Sequence, residues 1–177
     1  AGPRGASGTH PISTTSIMSA VAIIPARMES SRFPGKPLET ILGMSMLQHC
    51  YERALLTLDP DSLYVATCDR AIADHVMQFG GNFIMTSADH ETATGRVAEA
   101  ISIIERRDSK TFAEIIMIQG DEPLFPPATL GKLKERLRVE SAETVGLMSL
   151  SNVESEITNP DNVKVVTSVS GKALYFS

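Results

Sequence analysis

Pro25 to Leu38 reads PARMESSRFPGKPL, with three cations, Arg27, Arg32 and Lys36, set among Ser30, Ser31 and Gly35. That mixture suits a polyphosphate. The cations neutralise charge, and the backbone N–H groups of a loop rich in small residues complete the hydrogen bonding. Charge stabilisation is most of what phosphoryl or nucleotidyl transfer asks of a protein. A second candidate lies in Ile115 to Pro123, IIMIQGDEP, where an apolar run leads straight into Asp121. A carboxylate beside a triphosphate is a natural ligand for Mg²⁺, a hard cation that prefers oxygen donors and substrate phosphates. Glu122 is the weaker candidate of the pair. Alone, an aspartate in a turn is more often structural. The combination with the basic loop favours the metal.

These groups must be brought together by the elements before them. Val21–Pro25 (VAIIP), Leu63–Thr67 (LYVAT), Asn82–Met85 and Ile115–Ile118 (IIMI) are short apolar runs of the kind buried parallel strands show. Between them, helical spacing covers Met44–Leu58, Arg70–Phe79 and Arg96–Arg107, with Val97, Ala100, Ile101 and Ile104 on one face of the last. Pro126–Glu140 reads as a further helix and Val145–Leu150 as a further strand. Val163–Ser168 and Ala173–Phe176 read as an antiparallel pair joined at Ser170-Gly171. Strands alternating with helices predict a mostly parallel sheet covered on both faces. Ligands then bind at the carboxyl ends of the strands, where the strand order switches. Arg27 and Asp121 both follow strands, so both are expected at that edge.

Composition narrows the field. The chain has 177 residues and a formal net charge of −5. An acidic balance speaks against a nucleic-acid backbone binder. No apolar run approaches the length of a membrane span. The P-loop pattern and the G-x-G-x-x-G fingerprint are both absent, which disfavours a dinucleotide-dependent dehydrogenase. Cys50 and Cys68 lack metal-ligand spacing and read as buried free thiols, compatible with a reducing cytoplasm. His49 and His75 fall inside helices with no paired ligand. His90 lies between Asp89 and Glu91, but adjacent side chains diverge, so no metal site is read there. The first nineteen residues, rich in Gly, Ser, Thr and Pro, read as a disordered leader or tag.

Three segments, IPARMESSRFPGKPL, ADHETATGRVAEA and QGDEPLFPP, resemble the 3-deoxy-manno-octulosonate cytidylyltransferase (CMP-Kdo synthetase) family in order and separation. NPDNVKVV and GKALYFS are similar to it too. The resemblance runs from about residue 20 to the last residue. It implies a Rossmann-like three-layer α/β/α nucleotidyltransferase fold with a mostly parallel sheet. It further implies transfer of CMP from CTP to a ulosonic acid, for lipopolysaccharide-type biosynthesis in the cytoplasm. By residue, it implies that Ala26, Arg27, Ser31, Arg32, Lys36, Arg96 and Gln119 contact the nucleotide. Lys36 and Arg32 would stabilise transferring charge, and Asp121 would bind Mg²⁺. The expected partners are CTP, the sugar acid and a second copy of the chain, with neither nucleic acid nor membrane. Residues 20–177 are then expected to be the N-terminal part of a longer domain. Its remainder, in the family, supplies a second metal-binding aspartate, most sugar contacts and much of the dimer interface. One motif departs from the family. Where it usually reads Ser-Gly-Thr-(Asp or Glu)-Arg, this chain has Thr92-Ala93-Thr94-Gly95-Arg96. The alternatives are a nucleotidyltransferase for another sugar acid or base, or a non-catalytic nucleotide-binding remnant.

Overall fold

A computed structural model describes residues 16–29, 33–139, 143–149 and 151–176. The expected leader lies outside these up to residue 15, and its last four residues, 16–19, belong to a strand instead of a disordered leader because they pair with residues 110 onward. The chain divides after Lys132 into two compact units.

The first unit begins with β1, Ser16–Pro25. A small hairpin follows, β2 (Thr40–Ile41) and β3 (Met44–Ser45), turning at Leu42 and Gly43, which both take positive φ. Helix α1, Met46–Leu55, starts where the Ser45 side chain accepts the Gln48 N–H. This is why the helix begins two residues later than its apolar spacing predicts. Then come β4 (Leu63–Thr67), α2 (Arg70–Gln78), β5 (Phe83–Met85), α3 (Ala93–Asp108) and β6 (Lys110–Met117). Helix α4, Ala128–Val139, follows two prolines.

The sheet order is β5-β4-β1-β6, and all three pairings are parallel. The chain winds outward from β1 through β4 to β5, then crosses back to lay β6 on the other side of β1. The order therefore switches between β1 and β6. Successive strand residues feed opposite faces. Ala22, Ile24, Val65 and Ile116 pack with Leu47 and Cys50 of α1 and with Ile72 and Val76 of α2. Val21, Ile23, Tyr64 and Ile84 pack under Val97, Ala100 and Ile104 of α3. The result is the three-layer α/β/α arrangement that the sequence implies.

β1 and β6 are longer than their apolar cores. They pair from Ser16↔Lys110 onward, through residues too polar to signal a buried strand. Burial also divides the cysteines: Cys50 is enclosed, whereas Cys68 is partly exposed.

A polar strut ties α1 to the sheet. Tyr51 is buried, its hydroxyl donates to the Leu63 carbonyl at 3.3 Å, and it accepts the Asn82 N–H at 3.0 Å. Tyr51→Phe leaves that backbone N–H without its acceptor. The expected loss is about 1–2 kcal/mol of unfolding free energy in urea titration, with little change in slope.

The second unit, Leu133–Ser177, holds α5 (Glu154–Thr158) and the antiparallel pair β7 (Val165–Thr167) and β8 (Ala173–Phe176). Gly171, at φ 85°, makes the predicted turn. The strand predicted at Val145–Leu150 is absent among the described residues. The segment 143–149 pairs with no other strand, and a strand without a partner has no ladder to stabilise it.

Candidate functional site

A cleft of about 630 Å³ opens at the carboxyl ends of the strands. This is the size of a small-ligand pocket. It sits at the β1/β6 switch, as the sheet topology requires. Three segments line it, one each from the β1 exit, the β6 exit and the start of α3.

From β1 come Ala26, Arg27 and Lys36. Ala26 continues the ladder by donating its N–H to the Ala66 carbonyl at 2.9 Å. The loop beyond it is closed at its base. The Met28 N–H donates to the Asp69 carboxylate at 2.8 Å, and the Gly35 N–H donates to the Met28 carbonyl at 2.9 Å. Gly35 sits at φ 81°, a left-handed conformation that glycine adopts without strain. Lys36 then opens a short 3-10 turn, Lys36–Leu38. Ser31 and Arg32, both expected to contact the nucleotide, lie outside the described residues.

From β6 come Gln119, Gly120 and Asp121. The Ile118 N–H bonds to the Ile23 carbonyl at 3.0 Å, so pairing continues to the last residue before the turn. Gly120 lies so close to β1 that a Cβ there would stand 3.2 Å from the Pro25 carbonyl oxygen and 3.3 Å from Ile24 Cγ2. Asp121 emerges next, and its Oδ2 accepts from Lys36 Nζ at 2.9 Å. The cationic loop and the acidic turn thus meet across the switch point. Both side chains are substantially exposed, so the pair adds little to stability. Behind the turn, burial pushes the Cys50 thiol up to about 11, opposed by the Glu122 backbone N–H. Arg53 Nε holds the Phe125 carbonyl at 2.9 Å.

The third segment is the entrance to α3. The Thr92 hydroxyl accepts the Gly95 N–H, which caps the helix, and the helix N-terminus faces the cleft. Arg96 lines the cleft yet is almost fully buried. Its Nη1 donates to Thr86 Oγ1 at 2.7 Å and to the Ser87 carbonyl at 3.2 Å. That guanidinium pins the β5 exit to α3. His90 also lines the cleft, and its Nε2 meets Glu99 Oε2 at 2.5 Å. Glu99 accepts the Ser87 N–H at 2.8 Å as well. The His90 contact and then the Ser87 N–H hold its carboxyl below the usual range.

The described candidates, Ala26, Arg27, Lys36, Arg96, Gln119 and Asp121, all line this one cleft. Sequence reasoning passed over His90 as a bland histidine and did not single out Glu99. Their nine-residue separation spans a loop and a helix cap, so no periodicity links them. Among the described residues no group of three His, Cys, Asp or Glu side chains converges as a metal cage, and no helix is long and apolar enough to cross a membrane.

A family profile described as cytidylyltransferase matches residues 21–177. The 3-deoxy-manno-octulosonate cytidylyltransferase of Vibrio vulnificus is 42% identical over 160 residues, covering 90% of this chain and 62% of the relative. That of Saccharophagus degradans is 42% identical over 161 residues, with the same shares. The chain therefore spans less than two thirds of these relatives. Among solved structures, a CMP:2-keto-3-deoxy-manno-octonic acid synthetase complexed with CTP superposes with a TM-score of 0.73 at 36% identity. That match covers 90% of this chain and 64% of the other. A 4-diphosphocytidyl-2C-methyl-D-erythritol synthase, at 15% identity and TM-score 0.54, shares the fold.

Proposed function

The chain belongs to the cytidylyltransferase family, and from that premise we propose that it carries the CTP site of an enzyme that transfers CMP to 3-deoxy-manno-octulosonate or a related ulosonic acid. One observation carries this reading: Lys36 and Asp121 meet at 2.9 Å across the switch point of a parallel sheet, on the wall of a nucleotide-sized cleft. The relatives' names and the CTP-bound structural neighbour support the choice of nucleotide and sugar.

In this reading the triphosphate lies along the loop after β1. Arg27, Ser31 and Arg32 bind its oxygens, and Gln119 and Arg96 lie beside the nucleotide. Lys36 stands against the charge that grows as a sugar hydroxyl attacks the α-phosphorus in line. A sugar O–P bond forms, the P–O bond to the β-phosphate breaks, pyrophosphate leaves, and the hydroxyl proton passes to solvent. The donor set fits Mg²⁺ held jointly with substrate. Asp121 is a single half-exposed carboxylate beside the phosphates, and Mg²⁺ is commonly bound through one or two carboxylates, phosphate oxygens and water. When bound, the ion would neutralise phosphate charge. A homodimer and a cytoplasmic site of action belong to the same proposal.

The test is pyrophosphate release with CTP, Mg²⁺ and 3-deoxy-manno-octulosonate, set against ATP, GTP and UTP. CTP-selective release is the expected result. Thermal stabilisation by CTP without release would instead indicate a nucleotide-binding remnant. Absence of both release and stabilisation would overturn the proposal.

A further inference from the structure

One face of α1 runs alongside the acidic turn and meets it residue by residue. Leu47 Cδ1 stands 3.8 Å from the Cβ position of Gly120. The Cys50 thiol faces the Glu122 backbone N–H. Arg53 Nε donates to the Phe125 carbonyl at 2.9 Å. Just past the helix, the Thr57 hydroxyl reaches the Pro127 carbonyl at 3.4 Å. Steps of three or four residues keep these four side chains on one face. The two segments therefore advance together from Gly120 to Pro127.

Arg53 makes the strongest of these contacts. Its bond to a carbonyl is charge-assisted, whereas the Thr57 bond is long and a thiol is a weak acceptor. The bond reaches back toward Asp121 through a closed turn. The Phe125 N–H returns to the Glu122 carbonyl at 3.3 Å, and Pro123, second in that turn, presets its φ. Asp121 directly precedes this unit. Its carboxylate is half open to solvent, so the backbone that carries it decides where it stands.

We propose that Arg53 is a positioning residue: by holding the Phe125 carbonyl it fixes the acidic turn, and with it the Asp121 carboxylate that would carry Mg²⁺. This rests on the CTP reading above and adds a residue to its metal end.

The experiment measures CTP affinity by calorimetry, in Mg²⁺ and in EDTA, for the parent chain, Arg53→Gln and Arg53→Met. Glutamine puts an amide N–H at the chain position of Arg53 Nε, and methionine has the same reach without a donor. Both remove the charge from the last turn of α1, so a role confined to that charge weakens both alike. Titrations run well below the melting temperature of the weaker variant. Outer contacts that hold a metal ligand directly are worth roughly 10–100-fold in metal affinity. Arg53 acts one turn away, so Arg53→Met is expected to weaken CTP binding in Mg²⁺ about three- to tenfold. Its binding in EDTA is expected to stay within about twofold of the parent, as is Arg53→Gln under both conditions. Parental affinity of Arg53→Met in Mg²⁺ overturns the inference. Equal weakening in Mg²⁺ and EDTA overturns it too, by making Arg53 a general support of the cleft. So does Arg53→Gln binding as weakly as Arg53→Met, which would make the charge the agent. A parent with the same CTP affinity in Mg²⁺ and EDTA overturns it together with the metal role of Asp121. A parent that binds no CTP overturns the functional reading as well.

Discussion

Asp121→Asn is expected to abolish the Mg²⁺-dependent part of CTP binding and to lower pyrophosphate release by roughly 10²–10³-fold. Asparagine keeps the shape and one oxygen but removes the charge. That charge is what a hard divalent cation requires, and Asp121 is the carboxylate that meets Lys36 in the cleft. Stability should barely move. The Lys36–Asp121 pair is open to solvent, and exposed pairs contribute well under about 1 kcal/mol. Calorimetric CTP titrations with and without Mg²⁺, beside a thermal melt, check both halves. An unchanged Mg²⁺ enhancement would take Asp121 out of the metal role. A collapsed melting temperature would make it a structural residue.

Gly120→Val is expected to damage fold and site together. A Cβ at 3.2 Å from the Pro25 carbonyl and 3.3 Å from Ile24 Cγ2 requires the neighbours to give way. Valine adds two methyl groups beyond that, with Leu47 Cδ1 already 3.8 Å from the Cβ position. Overpacking of this kind costs about 1–3 kcal/mol. The turn can escape only by moving off β1, and Asp121 moves with it. Chemical denaturation should therefore show the loss of stability. CTP affinity in Mg²⁺ should fall toward that of Asp121→Asn. Gly120→Ala, with the Cβ alone, is expected to lie between. A destabilised Gly120→Val that keeps full Mg²⁺-assisted binding would separate the turn from the site.

The fold was legible wherever burial writes itself into short apolar runs. LYVAT is buried at all five positions and forms a strand over the predicted span. β1 and β6 were legible only in their apolar halves, because their outer residues are held by pairing, which leaves no hydrophobic signature. The start of α1 was obscured by Met44 and Ser45, which fit a helical spacing but close a hairpin. Val145–Leu150 shows the opposite error, since among the described residues this short run has no partner strand, and an unpaired strand has no ladder to hold it. Arg27 and Asp121 were legible because each follows a strand and parallel topology sends strand ends to one edge, and Lys36 because it closes the same cation-rich loop. The His90–Glu99 pair was not, since it depends on how a loop folds back onto the first turns of α3.

The closed base of the basic loop has an evolutionary reading. With Met28 bonded to both Asp69 and Gly35, the entry and exit of the loop are clamped at one point. The stretch between is a cassette, its ends fixed by the Met28 N–H on the Asp69 carboxylate and the Gly35 N–H on the Met28 carbonyl. The register of β1 is therefore held from outside the loop, and lengthening a closed loop costs little entropy. Such a cassette lets phosphate chemistry diversify on a sheet that stays the same.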